Sequence, residues 1–148
     1  MFVPARSRSG WNSAPKLPFL KIWDDERIIY TFHMYGPHEF THQRGVLQPA
    51  QHYYNRVMPY PAVTPEEIAR YDGYAQLMRN DPQAKAYPDA KAIDYEWLRK
   101  TLTPVTEFVQ AHPDKILWLG EFGTIRHCPL QYRENYMQDL IRFAGELD

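Results

Sequence analysis

Cysteine is nearly missing: Cys128 stands alone, so no disulfide forms within the chain and the redox compartment stays open. Long apolar runs are missing too. Nothing approaches the roughly 20 consecutive apolar residues of a membrane span, so no membrane partner is expected. The opening stretch MFVPARSRSGW holds too few apolar residues for a secretory signal, and no localisation follows from the chain. Excess charge is absent as well. Seventeen Lys and Arg meet 18 Asp and Glu for a net charge of −1, so a nucleic-acid partner has no electrostatic support. There is no internal repeat and no low-complexity tract.

Aromatic residues, by contrast, are abundant. Eleven Tyr, seven Phe and four Trp make up 15% of 148 residues, alongside 13 Pro. Such rings hold the apolar faces of sugars, but they also build cores, and on composition alone the core comes first. With 44% hydrophobic and 24% charged residues, the balance is that of one globular domain.

Three apolar runs read as strands. MFVPA is short and contains Pro4. RIIYTFHMY, residues 27–35, is rich in β-branched and aromatic residues, and KILWLG, 115–120, breaks at glycine. Unbroken apolar runs suit strands buried on both faces, as in a parallel sheet. Asp24 and Asp25 mark a turn before the second run. Between and after the strands lie helical patterns. From Tyr95 to Ala111, Leu98, Leu102, Val105, Phe108 and Val109 recur at helical spacing, with Pro104 set to break a hydrogen bond or kink the helix. From Pro129 to Leu147 the stripe is Leu130, Met137, Leu140, Ile141, Ala144 and Leu147. The long segment 36–88 holds seven prolines and one clear helix start, Thr64-Pro65-Glu66-Glu67. Strands alternating with helices predict an α/β fold with parallel strands.

Two places carry chemistry. Glu121 follows KILWLG and precedes Phe122-Gly123, at the C-terminal tip of a strand, where barrels of alternating strands and helices present catalytic groups. Its flanking glycines allow close backbone approach and unusual dihedrals. His33 and Tyr35 end the second run and share one face of it, because side chains alternate along a strand. A histidine and a phenol there can hydrogen-bond a carboxylate on the adjoining strand and fix its charge state.

With those residues in view, IIYTFHMYGPHEFTHQRG resembles the sixth strand and following loop of bacterial cellulases in glycoside hydrolase family 5, and PDKILWLGEFGT resembles their seventh strand. The helix DYEWLRKTLTPVTEFVQAHP and the stretch Gly10-Trp11-Asn12-Ser13 are also similar to that family. The resemblance implies a retaining hydrolase of β-1,4-glucans or related polysaccharides, with a polysaccharide or oligosaccharide as partner and no cofactor. It implies Glu121 as nucleophile, His33 and Tyr35 as its flanking catalytic residues, and Trp11 as a substrate-binding residue at the end of a fifth strand. The expected fold is α/β, a partial (β/α)8 barrel from strand five to helix seven, with residues 1–148 one incomplete barrel segment. A full barrel takes about 250 residues. The Asn-Glu-Pro sequence that supplies the family's second carboxylate does not occur, whereas retaining chemistry needs two carboxyls about 5–5.5 Å apart. The chain is therefore expected to be a truncated piece, inactive alone, and to self-associate through open sheet edges.

Two other readings compete. His38-Glu39-Phe40-Thr41-His42 matches the zinc-protease pattern H-E-x-x-H, with Gln48 where a third ligand would fall. That chemistry needs a helix to bring both histidines to one zinc, and the motif follows a strand and Gly36-Pro37, so an irregular loop is expected. The other is a carbohydrate-binding remnant without turnover, using Trp11, Tyr35, Tyr53, Tyr54 and Tyr60.

Overall fold

The computed structural model describes residues 2–4 and 13–147. Three parallel strands form one sheet in the order β1 (Phe2–Pro4), β2 (Ile29–Met34) and β3 (Ile116–Phe122), so sequence order and spatial order agree. All three apolar runs are strands, and the expected mixture of helices with a parallel sheet is present. Before β2, Asp25 accepts from the Arg27 backbone N–H at 2.9 Å, which closes the turn.

The sheet has two unlike faces. On one, Tyr30, Phe32 and Met34 of β2 are buried, and Leu117 and Leu119 of β3 pack against the same core. On the other, Ile29, Thr31 and His33 are only half-buried, and Ile116 and Trp118 are 55% exposed each. Among the described residues, the side chains that β2 and β3 contribute to the core all lie on the first face.

Most of the rings are core material, as composition suggested. Tyr30, Tyr60, Tyr71 and Tyr136 are among the largest fully buried side chains, and each hydroxyl has a partner, as a buried phenol requires. Tyr30 accepts from the Trp23 N–H at 2.9 Å, Tyr60 donates to Asp139 at 2.8 Å and Tyr71 to the Pro59 carbonyl at 2.7 Å. Tyr136 donates to the Gly36 carbonyl at 3.0 Å.

The segment after β2 folds into helices α1 (His38–Thr41), α2 (Pro49–Tyr53) and α3 (Pro65–Arg79). Only α3 carried a clear signal. Thr64 and Glu67 close a reciprocal capping box, with Pro65 in the first turn. Pro104 does more than kink its helix. The chain forms α4 (Tyr95–Thr101) and α5 (Thr103–Ala111) about Leu102, and Pro104 falls in the first turn of α5, where a missing N–H breaks no helical bond. Leu98, Leu102, Val105 and Phe108 are buried as their spacing predicted.

In α6 (Leu130–Gly145) the expected stripe holds only in part: Leu140 is buried and Met137 packs against the core, as does Leu147 just beyond the helix. Its buried face is Tyr136, Leu140 and Phe143, while Leu130 and Ile141 are 59% and 67% exposed. The three buried residues are also spaced i, i+4, i+7, and two of them are aromatic. Ring area, together with the tie from Tyr136 to Gly36, outweighs aliphatic count in choosing the face. Among the described residues, no helix is long and apolar enough to cross a membrane.

Candidate active site

The register between β2 and β3 builds the site. Ile29 to Phe32 pair with Ile116 to Leu119 in step, and then His33 pairs with Glu121, leaving Gly120 as an extra residue. Strict alternation would have turned Glu121 toward the helices with Leu117 and Leu119. The bulge shifts the phase by one residue and puts Glu121 on the uncovered face with His33. Only glycine fits at the bulge, because a Cβ on Gly120 would lie 2.5 Å from Thr31 Oγ1. Gly123, with φ of +118°, then turns the chain in a conformation that L side chains rarely adopt.

His33 Nδ1 lies 3.4 Å from Glu121 Oε2. The carboxylate side chain is 56% exposed and the imidazole 30%, so the pair is open to solvent from the sheet's uncovered face. His33 is held from behind. Its backbone N–H donates to Ser13 Oγ at 2.8 Å, and the Ser13 N–H donates to the His33 carbonyl at 3.1 Å. Tyr35, one step beyond the strand end, completes the group. Burial, and secondarily the charge of Glu121, raises its phenol pKa above the ordinary value. The Thr41 hydroxyl donates to the Tyr35 carbonyl at 2.7 Å, and the Ile125 N–H donates to the Thr41 carbonyl at 2.8 Å. The loops after β2 and β3 are thereby tied to each other beside the site.

The structure places His33 3.4 Å from Glu121, and Tyr35 near enough to feel the Glu121 charge. Trp11 lies outside the described residues. Sequence reasoning passed over Ser13, Thr41 and Tyr136, which fix the backbone around the site. In the sequence, Ser13 and Thr41 stood only as members of longer motifs, and Tyr136 lies in α6, 100 residues from the Gly36 carbonyl it binds.

The H-E-x-x-H segment is a correction. Residues 38–41 form a helical turn rather than an irregular loop, because Pro37, in an extended conformation, accepts from the N–H groups of Phe40 and Thr41 at 3.0 Å each. The helix does not assemble a zinc site. The His38 and His42 rings stack with centroids 4.3 Å apart at 23°, so their in-plane lone pairs run side by side instead of converging. His38 Nδ1 faces Gln51 Nε2 at 3.0 Å, Glu39 Oε2 accepts from the Tyr87 hydroxyl at 2.7 Å, and Gln48 Oε1 accepts from Tyr74. Among the described residues no three His, Cys, Asp or Glu could share a metal ion. Burial, with the neighbouring His42, pushes the His38 pKa down to about 4, and burial raises that of Glu39. Of the aromatic residues considered for glycan contact, Tyr60 is fully buried and belongs to the core, whereas Tyr53 is 73% exposed.

No protein-family model matches the chain. Over 142 residues, 95% of its length, it is 32% identical to Endoglucanase C of Acetivibrio thermocellus. Endoglucanase C307 of Clostridium sp. (strain F1) matches with the same identity and coverage. The chain spans about two fifths of these relatives, 39% of each. Among solved structures, a hyperthermophilic endo-β-1,4-glucanase in complex with substrate superposes with a TM-score of 0.61 at 20% identity, covering 99% of this chain and 36% of that one. An endoglucanase superposes with a TM-score of 0.54 at 19% identity, covering 90% and 33%. The chain is related in sequence to endoglucanases over nearly all of its length, and it shares the fold of the corresponding third of endoglucanase structures.

Proposed function

We propose that this chain carries the nucleophile side of a retaining glycoside hydrolase of family 5, acting on β-1,4-glucans or related polysaccharides. On this proposal the sheet is part of a (β/α)8 barrel, from strand five to helix seven, and its uncovered face is the barrel interior. The observation that carries the proposal is the 3.4 Å approach of His33 to Glu121 at the C-terminal ends of two parallel strands, the end at which such barrels do chemistry. Endoglucanase relatives matching 95% of the chain support it.

In the reaction the Glu121 carboxylate attacks the anomeric carbon, and a glycosyl ester forms as the glycosidic C–O bond breaks. A second carboxyl protonates the departing oxygen and then deprotonates the water that cleaves the ester. His33 and Tyr35 keep Glu121 oriented, and Trp11 contacts the sugar. The sequence lacks the Asn-Glu-Pro that would supply the second carboxyl. The 148 residues alone therefore hydrolyse glucans negligibly, because general acid catalysis typically contributes about 10²–10⁴-fold.

The test mixes the chain with a separately expressed N-terminal barrel half from a related cellulase and a 2-deoxy-2-fluoro-β-cellobiosyl fluoride, followed by peptide mass spectrometry. Label on Glu121, absent in Glu121→Gln, is the expected result. Robust hydrolysis by the pure monomeric chain, or label on another residue, would overturn the proposal.

A further inference from the structure

Tyr35 stands beyond the last pair of the β2–β3 ladder, Met34 with Phe122, so strand pairing does not hold it in place. A buried polar pair at the end of α1 takes over. Thr41 is fully buried and the adjoining His42 is buried as well, and buried polar groups need partners. The Thr41 hydroxyl has a single hydrogen, which the Tyr35 carbonyl accepts at 2.7 Å. The 2.9 Å contact between Thr41 Oγ1 and His42 Nδ1 must then run the other way, from Nδ1–H to the hydroxyl oxygen. In the opposite tautomer Nδ1 would be an acceptor and would compete with the Tyr35 carbonyl for that one hydrogen. Burial lowers the His42 pKa, which favours the neutral ring in which this choice exists.

His42 also touches Tyr35 directly. The two rings meet edge to face, with centroids 5.1 Å apart at 70°. His42 is braced in turn, because it stacks on His38 at 4.3 Å. His38 is itself fixed. Gln51 Oε1 accepts from the Gln48 N–H at 3.2 Å, which leaves the Gln51 amide nitrogen to donate to His38 Nδ1 at 3.0 Å. The His42 backbone is gripped too. Its carbonyl accepts from the Gly45 N–H at 3.0 Å, and a Cβ on Gly45 would meet both that carbonyl and Ile125 Cδ1 at 2.9 Å. These contacts leave His42 one place to stand, against Tyr35.

We propose that His42 is a positioning residue: through the Thr41 hydroxyl and through its own ring, it sets where the Tyr35 phenol stands relative to Glu121. The proposal rests on the glycoside hydrolase reading for what Glu121 does, but not for the placement of Tyr35.

The experiment is magnetic resonance on the full 148-residue chain carrying isotope-labelled tyrosine and histidine, run beside the Glu121 labelling described above. The neutral His42 ring should carry its proton on Nδ1. A proton on Nε2 alone would overturn the proposal, and this measurement needs no variant. The Tyr35 phenol resonance, assigned with Tyr35→Phe, should move as Glu121 titrates, in a step that is missing from Glu121→Gln. His42→Phe keeps a ring without the donor and should lose most of that step, as should Thr41→Val. His42→Asn, whose amide N–H reaches the place of Nδ1–H, should restore it. Undiminished steps in His42→Phe and Thr41→Val would overturn the proposal. In the reconstituted protein, His42→Phe should slow labelling of Glu121 about threefold when Tyr35 is present and not at all in Tyr35→Phe, because a residue acting through another loses its effect when that other is gone. Equal slowing in both backgrounds would reduce His42 to a merely structural role. The expected resonances with Glu121 unlabelled in the unsubstituted protein would support the placement of Tyr35 by His42 while the catalytic proposal fails.

Discussion

His33 and Glu121 stand opposite each other across a parallel ladder only because Gly120 is surplus to it, and their side chains then approach to 3.4 Å. His33→Ala removes the imidazole but not the carboxylate. In the reconstituted protein it should slow labelling of Glu121 about 10–100-fold, whereas Glu121→Gln should abolish it. Tyr35→Phe should leave labelling measurable. Equal labelling rates in His33→Ala and the unsubstituted protein would remove His33 from the site.

Gly120 can be tested without any substrate. A methyl group there meets Thr31 Oγ1 at 2.5 Å, so Gly120→Ala should destabilise the chain by about 1–3 kcal/mol in urea unfolding. Thr31→Ala removes the obstructing atom. The double variant Gly120→Ala/Thr31→Ala should recover more than half of the loss, and strict additivity of the two effects would show that the contact is not the cause.

Two half-buried groups of α1 should pull stability in opposite directions with pH. His38 has a folded pKa lowered to about 4 from about 6.5, so the folded state binds fewer protons than the unfolded chain between those values. Its contribution is fully present above about pH 6.5 and is lost as pH falls toward 4. Glu39 has a raised folded pKa, so its contribution is present in acid and is lost as pH rises above the ordinary carboxylate range. Urea midpoints measured from pH 4 to 7 should therefore rise less steeply in His38→Gln and more steeply in Glu39→Gln. The same slope in both variants would refute the assignment.

The uncovered face predicts behaviour in solution. Ile116 and Trp118 are 55% exposed each on an outer strand, and both β1 and β3 present unpaired edges of the described sheet. Sedimentation velocity of the 148-residue chain should show concentration-dependent association. Trp118→Lys should weaken it about tenfold. A monomer at every concentration would mean that neither the edges nor this face recruit a partner.

The sequence by itself determined the elements and the chemistry of the strand tips. The three apolar runs form strands, the capping box opens α3, and the alternation that puts Tyr30, Phe32 and Met34 on the buried face of β2 is strictly local. Those features depend on neighbours within a few residues, which is the range at which sequence pattern is readable. The one-turn helix α1 escaped notice because its cause, Pro37 accepting two N–H groups, leaves no periodic signature in four residues. The buried face of α6 escaped because Phe40 and Tyr60, whose rings pack on Tyr136, come from the distant segment after β2. Tertiary structure alone decided that Glu121 meets His33. Counting residues along β3 puts Glu121 with Leu117 and Leu119, and the surplus Gly120 in the pairing with β2, a position where a side chain would meet Thr31, reverses it.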